Sequence, residues 1–509
     1  MKKYISTAAA LALSVAPLVG IALPSQAATK PVLTIGVPTG ITSFAASQSE
    51  TGNSGVFYEL AYDTLVFTDA KGVSQPNLAT SWKYSKDFLS LSLNLRKGVK
   101  FTDGTKFDAA AVIANINAFK NGASAEISDA AAIDSVTAGK DNYSVTIKLK
   151  DTDPALVNSL GRALGFMESP KMIGTAGEKS NPVGTGAYML DSNNTVADSS
   201  WTYVPNPNYW DKKAQSWSKI VLKFINDASA QVNALKSGQI QMENLLDSST
   251  MDTLKSAGFS SIASQSSMQM LTLVDRSGKM GSALKDVRIR QALNYAIDRS
   301  VLAKACNITA PTGGGSSVFP SGSKGYTKAL DSYYSYNPAK AKALVAATGL
   351  TDVKIPTLDF SPFMPTCWAA LTQMTAAAGI TLYGQAPSSP SANIFAMLLK
   401  PEWPMFWFNL GTSNVDWKLI QNLIGRDASW NPLSYGTSTS DALIAKIRTS
   451  SGATQVKALQ DLNAEVTKNA WFVPFVRGNS YFAYAPKSVK VTVAPGEATP
   501  TYPRMVSPK

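Results

Sequence analysis

Strand-like and helix-like periods alternate along almost the whole of this chain, and that alternation constrains its fold more than any other feature. Residues 31–37, 89–95 and 143–149 carry apolar side chains at every second position, the spacing of a half-buried strand. Residues 109–119 place Val112, Ile113, Ile116 and Phe119 on one helical stripe behind Asp108, a residue type that caps helix N-termini. The buried-strand run 220–225 leads into a helix over 227–238 that stops at Gly238, and a new element starts at Ile240. Asp286 opens a single long helix over 287–305, with Val287, Leu293, Ala296, Ile297, Val301 and Leu302 facing inward. Further helices fall at 338–349, 367–378, 439–448 and 455–469, and further strands at 63–67, 201–204, 268–274, 405–410 and 471–476. Such alternation predicts an α/β fold of βα units on a largely parallel sheet. At about 150 residues per domain, 509 residues make roughly three units.

The first 27 residues read as a leader. Lys2 and Lys3 precede an apolar stretch from Ala8 to Leu23, broken at Pro17, and Ser25-Gln26-Ala27 supplies the small residues of a cleavage site. The stretch is too short and interrupted to span a bilayer. An exported, soluble chain starting near Ala28 is expected, in the periplasm or the extracellular cell-surface space. No cysteine follows the apolar stretch to take a lipid anchor.

Composition then removes several chemistries. The chain has no histidine, which excludes Ser-His-Asp and Cys-His triads and imidazole metal sites. Its two cysteines cannot build a four-cysteine zinc site. No cofactor and no metal site are expected. The net charge is +12, but the lysines are scattered without a basic run, and with an export signal this argues against nucleic acid as a partner. Export favours a Cys306–Cys367 disulfide over two buried free thiols, and chain entropy would make such a bridge worth about 4 kcal/mol.

The polar candidates each have a structural reading. Asp103-Gly104 marks a turn and Asp108 a cap, so neither aspartate stands out as half of a catalytic carboxylate pair. Gly184 and Gly186 lack the following Lys-Ser/Thr of a phosphate loop and read as glycines of a tight turn after Pro182. Arg288, Arg290, Asp298 and Arg299 read as a surface or interlobe ion network.

Four segments taken in order resemble the family 5 extracellular solute-binding proteins, the oligopeptide, dipeptide and nickel receptors of ABC importers. They are residues 95–112, residues 181–188 with 206–210 downstream, residues 234–240, and residues 285–299. The resemblance implies a two-lobed α/β fold of the type II periplasmic-binding-protein kind, with an extra α/β subdomain inserted in the first lobe. The implied division is a leader at 1–27, first-lobe core at 28–57, 181–265 and 477–509, extra subdomain at 58–180, and second lobe at 266–476. Two crossings between lobes would then fall near 266 and 476.

The resemblance also places a ligand site in the interlobe cleft. Thr51, Gly52 and Asn53 match the edge of the first lobe, and Met268 and Met270 the crossover beside the cleft. The strand that carries an aromatic stack and an amine-binding aspartate in peptide receptors matches residues 405–416, with Trp407, Asn409, Gly411, Thr412, Asn414 and Asp416 as candidates. Here Leu410 to Ser413 stands where the family has an Ala-Asp-Tyr type of motif, and the nearest acid, Asp416, comes a few residues late. Phe406 and Phe408 are expected to pack in the sheet, with Trp407 and Asn409 turned toward the cleft.

The implied function is a monomeric receptor without enzymatic activity, which delivers a small organic solute to ABC permease subunits. The departure at residues 410–413 points to a peptide held by its backbone and side chains, or a peptide-like compound with a blocked or absent amine. A bare nickel ion is not expected; a chelated metal is left open. Two alternatives stand beside it: a secreted hydrolase using a carboxylate pair, and a surface interaction or chaperone protein on the same fold.

Overall fold

An eight-stranded sheet runs through the molecule in the order Met405–Gly411, Ser260–Leu273, Phe472–Tyr484, Met242–Asn244, Val32–Val37, Lys219–Phe224, Ser200–Pro205, Tyr188–Leu190. The structure is a computed structural model that describes residues 30–509 apart from 53, 125, 246–247, 307–314, 360, 362–363, 385–401, 412–414, 495–496 and 498, and no side chains at 248, 266 and 409–411. The leader expected at 1–27 lies outside the described residues.

Only the two pairings of Val32–Val37, with Lys219–Phe224 and with Met242–Asn244, are parallel in this sheet; every other pairing in it is antiparallel. The expectation of a largely parallel sheet is therefore corrected. Helix–strand alternation fixes composition, not direction: here successive strands also return through hairpins and long loops, which permit antiparallel neighbours.

Two strands are unusually long. Ser260–Leu273 and Phe472–Tyr484 pair antiparallel from Ser260 opposite Tyr484 to Thr272 opposite Phe472. At one end they belong to a core built from Leu33, Ile35, Phe57, Tyr203, Leu222 and Phe482. At the other they enter a core built from Leu271, Leu273, Leu293, Ile355, Leu371 and Phe475. Two continuous strands thus join the two cores, and residues 266 and 476 fall within them. Register shifts between Gln265 and Ser267 and between Gln269 and Met270 put bulges midway, where a strand pair bends most easily.

A separate antiparallel sheet, in the order Ala79–Tyr84, Ser90–Leu95, Ser144–Leu149, Ile133–Ala138, has its own core with the helix Ala109–Lys120. Asp108 caps that helix by accepting from the Ala111 N–H at 3.2 Å. Asp103 accepts from the Thr105 N–H at 2.8 Å and from the Ser169 hydroxyl at 2.7 Å. Both aspartates of the strand–turn–helix segment therefore hold backbone geometry.

The 181–188 segment bends as expected, and its glycines do more than turn the chain. A Cβ on Gly186 would lie 2.4 Å from the Ala61 carbonyl carbon, and one on Gly184 would lie 2.2 Å from the Ala61 oxygen. These glycines let the chain pass against the end of the helix Gly55–Ala61, where the Gly186 N–H donates to Ala61 at 2.9 Å. Downstream, the Tyr209 hydroxyl and the Trp210 indole N–H both donate to buried Asp63 at 2.9 Å. Arg96 of the separate sheet's flank lies 3.9 Å over the Trp210 ring, which ties that unit to the first-lobe core.

The segment 285–299 also departs from expectation. It forms two helices, Val287–Ala296 and Arg299–Ala305, with Asp298 capping the second through the Ser300 and Val301 N–H groups. The break at Ile297 takes Val301 out of the inward stripe, and it is 48% exposed. Arg290 and Arg299 are buried rather than part of a surface network. Arg290 donates to the Asn469 carbonyl at 3.1 Å, Asn294 to the Phe472 carbonyl at 3.0 Å, and Arg299 to the Pro474 carbonyl at 2.8 Å. Asn294 and Arg299 thus clamp one end of a crossing strand, and Arg290 holds the helix end just before it. Arg288 alone stays outside, paired with Asp286. Cys306 and Cys367 are joined as a disulfide between the end of Arg299–Ala305 and the first turn of Pro365–Ala377.

Candidate functional site

The first-lobe edge is held by charge. Thr51 donates from both its backbone N–H and its hydroxyl to Glu126, at 2.7 and 2.6 Å, and its hydroxyl oxygen accepts from Arg162. Arg162 lies 3.6 Å from Glu126 and 3.4 Å from Glu497. Glu50 folds back to accept from the N–H groups of Gly52 and Ser54. Thr51 and Gly52 border a small cavity of about 30 Å³ with Val37, Glu59, Asn244 and Tyr502. Glu59 accepts from the Tyr502 N–H at 2.8 Å, and burial raises its carboxyl to about 7. Asn53 lies outside the described residues.

The second-lobe candidates separate into core and cleft. Met268 and Met270 are each 1% exposed, packed among Phe319, Leu419, Leu462 and Phe472. Phe406 and Phe408 do pack in the sheet, both against Trp430 at ring separations of 5.8 and 5.6 Å. Trp407 turns to the other face, but that face is also interior: its ring lies 6.1 Å from Phe475, and the residue is buried. Trp407 is therefore a core residue, because helices cover the side of the strand that period-two reasoning leaves open. Asn409 and Gly411 pair their backbones with Gln269 and Ser267. Thr412 and Asn414 lie outside the described residues.

Asp416 sits at the border of a second cavity, yet both of its oxygens are engaged. They accept from the Lys324 N–H at 3.0 Å and the Gly325 N–H at 2.8 Å, which tethers the loop before residue 326. Burial raises its pKa against these hydrogen bonds.

That second cavity, about 380 Å³, opens between the separate sheet's unit and the second lobe. Its walls mix Pro154, Ala155, Val157, Trp417 and Leu459 with Lys71, Asn158, Lys324, Gln455 and Glu497. An apolar wall with a few polar groups on a concave surface is the usual form of a small-molecule site. Among the described residues no group of three or more histidine, cysteine, aspartate or glutamate side chains is placed to hold a metal ion. No helix among them is long and apolar enough to cross a membrane.

Sequence reasoning missed Trp417, which lines the larger of these two cavities, Arg162 and Glu126, which hold Thr51, and Lys418, which pairs with Asp129. Nothing in their spacing marks them, since each acts through a partner far along the chain.

The comparisons with known proteins agree with this geometry. The chain is 29% identical over 316 residues to the glutathione-binding protein GsiB of Salmonella paratyphi A, a match covering 59% of this chain and 56% of that protein. It thus spans a little over half the length of the curated relatives it matches. Among solved structures, HbpA2 of Haemophilus parasuis superposes with a TM-score of 0.79 at 20% identity, covering 94% of this chain and 100% of the other. The ABC transporter substrate-binding protein CtaP of Listeria monocytogenes does so with a TM-score of 0.74 at 20% identity, covering 94% of this chain and 99% of the other. At that identity the likeness carries the fold, a two-lobed mixed α/β architecture of the type II periplasmic-binding-protein kind. Residues 74–428 match the model of the bacterial extracellular solute-binding proteins, family 5 Middle, and the chain belongs to that family.

Proposed function

We propose that this protein is an extracytoplasmic receptor that takes up a peptide or peptide-like organic solute between its lobes and delivers it to an ABC import permease. The observation that carries this reading is the cavity of about 380 Å³ lined from both sides of the gap, in a chain whose family binds solutes. The division we favour keeps the second lobe at 266–476, the extra subdomain at 58–180, and the first-lobe core in the remainder after the leader. The site we favour uses the Thr51–Gly52 edge, Asp416 and the segment 409–414, with Trp417 in place of Trp407 as the aromatic wall. The receptor works as an exported monomer without turnover.

The engagement of both Asp416 oxygens by main-chain N–H groups supports a solute that needs no carboxylate for its amine. Mass spectrometry of solutes released from the exported protein, followed by calorimetry with glutathione, short peptides and their N-acetylated forms, tests the reading. A saturable solute whose N-acetylated form binds within about tenfold of the free amine is the expected result. Steady product formation, or binding abolished by acetylation, overturns it.

A further inference from the structure

We propose that Lys418 and Asp129 form an interlobe latch that sets how much of the protein is closed before any solute arrives. Lys418 lies on the helical turn Asp416–Leu419 of the second lobe, next to Trp417 at the cavity wall. Asp129 lies on the turn Ile127–Ala130 of the first lobe's inserted unit. The Lys418 Nζ is 2.7 Å from one Asp129 oxygen and 2.9 Å from the other. The aspartate side chain is 3% exposed and the lysine 19%, so this is a largely desolvated pair. Glu126 and Asp153 add negative charge around the same ammonium.

A second bridge stands across the gap. Arg448 pairs with Asp151, and its guanidinium lies 5.0 Å over the Trp417 ring. Both bridges join the inserted unit to the second lobe, and neither can form if the lobes part. The covalent link between lobes is elsewhere, in the two crossing strands. The turn that carries Asp129 also follows Glu126, which holds Thr51 at the cleft edge. One short segment therefore meets both the solute-facing edge and the opposite lobe, which makes Lys418 a positioning residue for capture.

A desolvated pair is lost at a cost when one partner is removed, because the other charge stays without compensation. The closed form holds Asp129 buried, whereas the open form returns it to water, so truncating Lys418 penalises only the closed form. The experiment is X-ray scattering on the mature full chain without solute, for the wild type, Lys418→Met, Asp129→Asn and the double variant, with thermal unfolding to verify each fold. Lys418→Met is expected to lower the closed-to-open ratio by about tenfold or more, read as a larger radius of gyration. Asp129→Asn should open the protein too, and the double variant should open it no further than the larger single effect. Equal radii for the wild type and both single variants overturn the latch, whether all are closed or all open. So does a double variant whose opening is the sum of the two. Scattering needs no solute, so this test fails or succeeds independently of the search for one.

Discussion

The second lobe buries arginines alongside the acids Asp275 and Asp416, whereas the first lobe buries acids, and the two kinds of charge are treated in different ways. The second lobe encloses Arg276, Arg290 and Arg299, and Arg477, just past its end, packs against its Asp331; none is more than 9% exposed. The first lobe encloses Asp63, Glu168 and Glu243, none more than 7% exposed. Arg276 and Arg299 stay charged at neutral pH: burial lowers them to about 9 and about 10, still above it. They collect oxygen acceptors. Arg276 donates to the Leu273 carbonyl at 2.6 Å and to Asn431 at 2.7 Å, beneath the Tyr435 and Trp471 rings. Arg477 grips Asp331 with two nitrogens. Two of the carboxyls instead neutralise: burial raises Glu168 and Glu243 each to about 8.

The difference follows from the donor and acceptor capacity of the backbone. A carbonyl has two lone pairs, so a strand or helix end already bonded can still accept from a guanidinium. An N–H gives its one hydrogen to the ladder and has nothing left for a carboxylate. Among the described residues Glu243 on its central strand finds only Gln231, at 2.6 Å, and Gly36 on the neighbouring strand is the residue that leaves it room. Arginine can therefore clamp a strand from the side, while a buried acid in a sheet must hold a proton.

The largest expected effect tests the clamp. Arg299→Met should destabilise the protein by about 2–4 kcal/mol, since the Pro474 and Tyr334 carbonyls and Asn294 lose their donor in the interior. Denaturant unfolding measures it, and a loss indistinguishable from zero would remove the argument that the arginine face secures a crossing strand.

The next tests the neutral acid. The folded-state pKa of Glu243 is raised from 4.5 to about 8, so the unfolded chain ionises first as pH rises. Stability from this group is complete below pH 4.5 and declines toward pH 8. Glu243→Gln should remove that decline, making the variant more stable than wild type at pH 7 by roughly 2–3 kcal/mol. Parallel unfolding curves of the two proteins across this range measure it; a variant with the same slope as wild type would show that the acid is not the source.

The smallest effect is the control. Arg288→Ala, on the same helix as Arg290 but paired with Asp286 at the surface, should leave the melting temperature unchanged, because exposed pairs contribute little. A large loss there would erase the contrast between clamping and surface arginines.

Much of the local structure was legible in the residues. Asp108 and Asp286 cap the helices they were expected to cap, and 90–95 and 144–149 are strands with alternating burial. The helix expected to stop at Gly238 ends two residues earlier, at Lys236, and the pairing of Cys306 with Cys367 also follows. The candidate site was less legible. Met268, Met270 and Trp407 are core, since the period of a strand tells which residues share a face but not which faces other elements cover. Asp416 was found by position, but its engagement by Lys324 and Gly325 depends on a loop about ninety residues earlier.

The sequence by itself determined what depends on neighbours in the chain: the caps, the periods of strand and helix, the absence of imidazole chemistry, and the order of segments that marks the family. The tertiary structure alone decided the direction of the strands, the burial of Arg290, Arg299 and Trp407, and the meeting of Lys418 with Asp129 across 289 residues. Capping and periodicity are set within a few residues by backbone geometry. The free energy of a charge depends on its local solvation and its partners, which exist only once distant segments have packed.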